Sequence, residues 1–283
     1  MTAIPNKPDA EPDKPEGEPA APTPEEDVKM TIWEHLDELR RRLVRSAIAV
    51  LITTCVAWGF KERILGWLIK PYEVAWKERG LPGTPDLQGL SPAHIFMGYL
   101  ELALTAGVIA GAPIIFYQLW AFVSPGLYRK EKRLIVPFVL FSTSLFLSGI
   151  AFAYYIAFPF TFRYFFSLLG PIGNSGAVLT QHSTMEYYLD FTTQMLLAFG
   201  VVFELPLFIM FLALAGIVTP KQLLRFGRWA VLLSFVVGAI ATPGPEITSQ
   251  LAVSGALVIL YFISVGLAFI VARNKKKREA QTD

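Results

Sequence analysis

Four carboxylates in this 283-residue chain have neighbours that make them candidates for chemistry. Glu38 precedes two arginines by about one helical turn, and Glu131 has basic residues on both sides. Glu204 is the one charge in a long apolar segment, and Glu246 follows a Pro-Gly-Pro run. A carboxylate can accept hydrogen bonds from a cationic ligand, or it can hold a proton in apolar surroundings. The candidate chemistry is therefore ion pairing or proton handling.

Each carboxylate also has an ordinary structural interpretation. An i,i+4 surface pair at Glu38 contributes only a few tenths of a kcal/mol, and Glu131 can simply balance the charge of a solvated loop. From the residues alone, these ordinary interpretations are favoured at both positions. Glu204 differs, because a carboxylate near the centre of a bilayer costs about 2.5 kcal/mol or more, so its functional interpretation is favoured. The alternative is a protonated side chain that bonds a neighbouring helix.

Other chemistries have little support in the sequence. The chain contains no HExxH, no GxSxG and no phosphate-binding glycine loop, and its three histidines lie in segments predicted to be outside the membrane. A single cysteine, Cys55, excludes an intrachain disulfide and a Cys-rich metal site. The net charge is +2, and no nucleic-acid motif is present. We expect a protein that is not an enzyme, with no catalytic residue, metal, cofactor or nucleic-acid partner.

The elements that position these residues are predicted from long apolar runs. Three runs, Leu102–Val123, Leu134–Phe162 and Leu251–Ala272, carry no charge at all, and each is long enough to cross a bilayer core of about 30 Å. Because an open strand in lipid leaves backbone amides unpaired, every span should be a helix. The predicted fold is an all-α integral membrane protein with six transmembrane helices. The spans are Val44–Phe60, Met97–Phe122, Leu134–Phe158, Phe191–Leu214, Trp229–Ala241 and Thr248–Val271.

The distribution of Lys and Arg predicts the orientation of these spans. Seventeen of these residues lie on one side, in Lys29–Arg45, Arg129–Arg133, Lys221–Arg228 and Arg273–Arg278, against six in the alternate loops, at Lys61–Arg79 and Arg163. By the positive-inside rule, both termini are cytoplasmic. Residues 1–28 form an acidic, Pro-rich tail that is too polar to fold. The predicted organisation is this disordered tail, a membrane domain over residues 29–272 and a basic cytoplasmic tail over residues 273–283.

Several features predict the shape of the bundle. Thr31 to Glu34 fits a capping box, after which an amphipathic helix should run into the first span. The outer segment Lys61–Lys70 mixes apolar and charged residues like an interfacial helix in an external cap. Prolines in or beside the spans should bend the helices into a concave bundle. The fifth and sixth spans should be short, the fifth with about 13 apolar residues or about 20 Å of helix.

The sequence resembles the TatC family, the large subunit of the twin-arginine protein translocase. The resemblance covers roughly Ile32 to Ala272 and includes the short motifs that carry Glu38, Glu131, Glu204 and Gln250. The matching segments are His35–Leu43, Pro113–Tyr128 followed by Glu131, Ala151–Tyr154, Phe158-Pro159, Phe199–Val201 with Phe203–Pro206, and Thr242-Pro243 with Ser249-Gln250.

This resemblance implies a receptor and core subunit that binds twin-arginine signal peptides and exports folded proteins across the cell (inner) membrane, driven by the proton-motive force. It assigns Glu38 and Glu131 to the arginine pair, with Leu36 and Phe122 as supporting residues. A planar guanidinium matches a carboxylate better than an ammonium does, so arginine should be preferred to lysine. We also expect the positive charges around Glu131 to penalise partners that lack the paired geometry.

The same resemblance assigns Glu204, Gln250 and Glu246 to contacts within the membrane or with partner subunits. The family usually has Asp where this chain has Glu246, so contact there is less well defined. The implied partners are small single-span subunits of the TatA and TatB type, membrane lipid and further copies in a homo- and hetero-oligomer. Two alternatives are a transporter or channel in which Glu204 relays protons, and an intramembrane protease. The first lacks further ionisable groups and repeats, and the second lacks a catalytic dyad.

Overall fold

The computed structural model describes residues 32–123, 135–173, 177–181, 183–241 and 247–279. The predicted tail, the capping Thr31, Glu131 and Glu246 lie outside these ranges. Six helical segments in the described part are long and apolar enough to cross a membrane, which confirms the predicted fold class. The helices are α1 (Ile32–Gly59), α2 (Lys61–Leu68), α3 (Lys70–Glu78), α4 (Pro92–Val123), α5 (Ile135–Phe152), α6 (Phe158–Ser167), α7 (Met185–Val202), α8 (Leu205–Leu214), α9 (Pro220–Ala241) and α10 (Ile247–Glu279).

The helices extend beyond the apolar runs from which they were predicted. α1 includes the amphipathic segment before the first span. The fifth and sixth candidate spans, of 20 and 18 residues, are the shortest of the six found among the described residues. However, α9 begins at Pro220 rather than at Trp229, and its 22 residues amount to about 33 Å of helix. α10 continues through the basic residues after Ala272 as far as Glu279.

The regular α-helix is interrupted in two of the candidate spans. In the third, a π-helical turn at Ala153–Ala157 joins α5 to α6, where Pro159 occupies the first turn. In the fourth, Phe203 separates α7 from Glu204, which directly precedes α8, and Pro206 follows in the first turn of α8. A proline has no amide hydrogen to donate to the preceding turn, so both irregularities lie where bends were predicted.

Glycines allow the helices to cross at close range. The Thr53 hydroxyl of α1 donates to the carbonyl of Gly107 in α4, with an oxygen–oxygen distance of 2.7 Å. A Cβ atom on Gly107 would lie 2.2 Å from the Thr54 hydroxyl oxygen. α5 and α7 meet similarly, because a Cβ on Gly149 would lie 2.4 Å from the Phe199 carbonyl oxygen. Such contacts stabilise helix pairs in lipid, where no hydrophobic effect drives them together.

An ordered cap lies at one end of the bundle, as the sequence predicted. It contains α2, α3 and two small sheets, in which β1 (Leu87–Gln88) pairs in parallel with β4 (Ser183–Thr184), and β2 (Gly170–Pro171) pairs antiparallel with β3 (Val178–Leu179). Tyr72 is buried at its centre, where its hydroxyl is 2.9 Å from that of Ser183. Tyr154 and Tyr188 donate hydrogen bonds to the last carbonyls of α2, which fixes this short helix on the bundle.

Candidate functional site

Glu38 lies on α1 and accepts two hydrogen bonds from Arg42, one helical turn later. The Nε and Nη2 atoms of Arg42 are 2.8 and 2.5 Å from the same oxygen, Oε1 of Glu38. The pair is well shielded, with 13% of the Glu38 side chain and 20% of the Arg42 side chain exposed. The other oxygen, Oε2, is buried and has no hydrogen-bond partner among the described residues. Glu38 therefore already binds one guanidinium and keeps an acceptor for further donors.

The C-terminal end of α4 supports this ion pair. Arg42 Nη1 is 3.5 Å from Oε1 of Gln118, which links α1 to α4. One turn later, the Phe122 ring stacks on His35, with ring centroids 4.4 Å apart and an interplanar angle of 18°. Phe122, which the resemblance placed in the site, thus lies beside the helical turn that carries Glu38. Leu36 is 49% exposed and offers an apolar surface on the same turn.

Glu131, the second acidic residue assigned to the arginine pair, lies in the segment 124–134, outside the described residues. That segment directly follows Val123, the last residue of α4. Its prediction as a partner of Glu38 is not tested by the structure. The described part of the site is therefore Glu38, Arg42 and Gln118, with Phe122 and His35 beside them.

Glu204 lies where α7 ends and α8 begins, and its carboxyl group faces α5. It does not cap α8 but accepts a hydrogen bond from Ser142, whose side chain is fully buried. The indole Nε1 of Trp120 in turn donates to the Ser142 hydroxyl oxygen at 2.7 Å. Oε1 of Glu204 is buried without a hydrogen-bond partner in the part of the chain that is described. This oxygen can hold a proton or accept one more donor.

The two carboxylates lie on different sides of α4. Gln118 contacts the Glu38 ion pair, whereas Trp120 contacts the Ser142 hydroxyl that bonds Glu204. Residues two positions apart on an α-helix point about 200° away from each other. The last turns of α4 therefore touch both polar sites without joining them into one.

The remaining predicted residues have mixed outcomes. Gln250 lies on α10, and its side-chain amide donates to the carbonyl of Phe235 on α9 at 3.3 Å. This amide therefore bonds a neighbouring helix of its own chain, and the predicted contact with a partner subunit stays a prediction. Glu246 precedes α10, outside the described residues, and its role is likewise untested.

Sequence reasoning missed several polar contacts. Gln118 and Ser142 were overlooked as partners, although each is a polar residue in an apolar helix, which is the signal that marks such contacts. Glu101 was also missed, although it lies within the predicted second span, Met97–Phe122. Its Oε1 accepts a hydrogen bond of 2.5 Å from the Thr193 hydroxyl, which links α4 to α7.

The fold and site define a multi-pass helical membrane protein whose polar centres are carboxylates that accept hydrogen bonds from arginine, serine and threonine side chains. No group of three His, Cys, Asp or Glu side chains that could hold a metal occurs in the described ranges. The arrangement can bind cationic donors and hold protons. A family model described as "Sec-independent protein translocase protein (TatC)" matches residues 34–255.

Similar proteins match over nearly the whole chain. This chain is 39% identical to a protein from Desulforapulum autotrophicum that is described as Sec-independent protein translocase protein TatC, over 90% of this chain and 90% of that protein. The one in Aquifex aeolicus is 35% identical over 88% of this chain and 98% of its own length. A crystal structure of the twin-arginine translocase receptor TatC covers 84% of this chain and all of that one, with a TM-score of 0.68 and 33% identity. The chain belongs to the TatC family and is a component of a protein translocase.

Proposed function

We propose that this protein is the receptor and core subunit of a twin-arginine translocation complex in the cell (inner) membrane. Both termini are cytoplasmic, which places Glu38 on the side where precursors are made. The protein is not an enzyme: it docks twin-arginine signal peptides, recruits small single-span subunits of the TatA and TatB type, and exports folded proteins using the proton-motive force. The similarity to a twin-arginine translocase receptor and the charge distribution support this proposal.

The Glu38 ion pair is the observation that carries the proposal. Its carboxylate already holds a guanidinium through two donors and has a second, unpartnered oxygen. A peptide arginine therefore meets an acceptor of the right chemistry, and Glu131 supplies the carboxylate for its neighbour. The rings of Phe122 and His35 flank this turn, and Leu36 offers apolar surface for the residues after the arginine pair.

Site-specific photocrosslinking tests this assignment. A precursor carrying a photoreactive residue beside its arginine pair is mixed with membranes that contain wild type, Glu38→Gln or Asp37→Asn. Loss of a charge-assisted hydrogen bond costs about 1.5–3 kcal/mol, so Glu38→Gln should reduce crosslinking about 10- to 150-fold at limiting precursor. Asp37→Asn is the matched control, because Asp37 is an exposed neighbour on the same turn, and it should crosslink normally.

Two results would contradict the proposal in different ways. Crosslinking that is undiminished in Glu38→Gln and in a Glu38→Ala, Glu131→Ala double variant would refute the site. If the wild type does not crosslink at all, the receptor function itself is refuted.

A further inference from the structure

An apolar groove on the outside of the bundle is separate from the polar sites described above. It has a volume of about 440 Å³ and lies between α2, α4 and α5, with Leu196 of α7 at its back. Its floor is a stripe on α4 that contains Leu102, Ala106 and Ala110 at intervals of one helical turn. The two alanines keep this floor low, because their side chains project less than those of the leucines around them.

The length of the groove matches one leaflet of a bilayer. It runs along α4 from Leu102 to Pro113, which is about 16 Å at 1.5 Å per residue. Along α5, Thr143 lies at the Pro113 end and Ile150 at the other, in keeping with two antiparallel helices. Half of a hydrocarbon core of about 30 Å is about 15 Å. The groove therefore spans the depth that one lipid chain occupies.

The chemistry of the groove changes at its cap-side end. Within it, the Thr143 hydroxyl bonds the carbonyl of Val139 in its own helix and so is not free for a ligand. Beyond its end, Lys61 precedes the groove-lining Ile64 by one turn of α2, and Tyr99 precedes Leu102 by one turn of α4.

Lys61 is held at that end by two aromatic rings. Its Nζ lies 5.1 Å from the Trp58 ring centroid and 5.7 Å from the Tyr99 ring centroid. Aromatic faces attract an ammonium but leave its hydrogen-bond donors available. None of the described carboxylates forms an ion pair with Lys61. A positive charge that pairs with none of the described carboxylates thus lies where the headgroup of a lipid in the groove would lie.

We propose that this groove binds one anionic phospholipid of the cap-side leaflet, with an acyl chain along α4 and its phosphate on Lys61. The lipid fills the slot under α2 and links that short helix to α4 and α5. This binding does not depend on the signal-peptide site, because Glu38 lies near the opposite end of α4.

Native mass spectrometry of the full chain tests the proposal. The protein is released from nanodiscs that contain equal amounts of phosphatidylglycerol and phosphatidylcholine with identical acyl chains. The wild type should retain one lipid and prefer phosphatidylglycerol about fivefold, since one basic residue near a membrane surface contributes that much. Lys61→Gln should abolish the preference, whereas Lys77→Gln, an exposed lysine of the cap, should keep it.

Blocking the groove tests the position of the acyl chain. Ala110→Leu should lose the retained lipid, whereas Ala151→Leu, the same change at an exposed position on α5, should keep it. Trp67 lines the groove, so a brominated acyl chain should quench a fluorescence component that is absent in Trp67→Phe. This measurement on the folded wild type decides the matter if Ala110→Leu does not fold.

Three results would overturn the proposal. These are equal lipid retention in Ala110→Leu and Ala151→Leu, no headgroup preference in the wild type, and no quenching of Trp67. A second copy of the chain that dissociates in Ala110→Leu would show that protein, not lipid, occupies the groove.

Discussion

Arg42 competes with a docking arginine for the Glu38 carboxylate, because the carboxylate's unpartnered oxygen, Oε2, is buried, so removal of Arg42 should strengthen signal-peptide binding. Both of its donors lie on Oε1 of Glu38, and the pair is mostly shielded from solvent. Ion pairs between residues one turn apart contribute about 0.3–1 kcal/mol, and the shielding places this one at the upper end of that range. A peptide that must first displace Arg42 loses this energy. Arg42→Gln should therefore bind a twin-arginine peptide about fivefold more tightly than the wild type.

The assay is fluorescence anisotropy of a labelled twin-arginine signal peptide titrated with the full chain in nanodiscs, at fixed salt concentration. Arg41→Gln is the matched control, because it removes the same charge at an exposed neighbouring position and should change the Kd by less than twofold. Weaker binding to Arg42→Gln would refute the reasoning. It would show that Arg42 holds Glu38 in position for the peptide and does not compete with it.

Three further predictions concern the crossing of α1 and α4, the cap and the buried carboxyl group of Glu204. Gly107→Ala should destabilise the protein by about 1–3 kcal/mol in denaturant titrations, since its Cβ would overlap α1, and unchanged stability would contradict the close crossing. The Arg163 guanidinium holds the pKa of Glu78 below its usual range. The ion pair therefore stabilises the cap at pH values above the pKa of Glu78 in the unfolded chain, and this stabilisation is lost as the pH falls through the lower pKa of the folded state. The melting temperature of the wild type should exceed that of Glu78→Gln at neutral pH and equal it in acid. A difference in melting temperature that does not depend on pH would show that the Glu78 carboxylate does not stabilise the cap in this way. Ser142→Ala removes a hydrogen-bond donor from buried Glu204 and should lower the free energy of unfolding by about 1–3 kcal/mol. The same substitution in a Glu204→Ala background should lower it clearly less. Equal losses in the two backgrounds would disprove the contact.

The six spans could be predicted because lipid imposes a simple rule. Each span needs about 20 mostly apolar residues, and three charge-free runs satisfy that requirement directly, whereas the other three predicted spans are shorter or contain a charged residue. Helix ends were harder to predict, because a helix does not stop where its hydrophobicity does. α9 starts at Pro220 and carries Lys221, Arg225 and Arg228 before its apolar part, and α10 continues into the basic residues that follow Ala272.

The sequence predicted which residues belong to the candidate site but not which side chains they contact. Glu38 and Phe122 were assigned from motifs, and the structure brings their helical turns together through the stack of His35 on Phe122. Gln118 and Ser142 were missed because their partners lie far along the chain or on another helix, and no local pattern encodes the meeting of two helix faces. The close approach at Gly107 was hidden for the same reason.

The central claim is that Glu38 binds a signal-peptide arginine directly. A double-mutant cycle measures this contact, with wild type and Glu38→Gln each titrated with a twin-arginine peptide and with a peptide in which one arginine is replaced by glutamine. If the contact is direct, Glu38→Gln and the peptide replacement should each weaken binding, and the two together should weaken it little more than either alone. The coupling energy between them should be about 1.5–3 kcal/mol for one of the two arginine positions. Additive effects at both arginine positions would contradict the account.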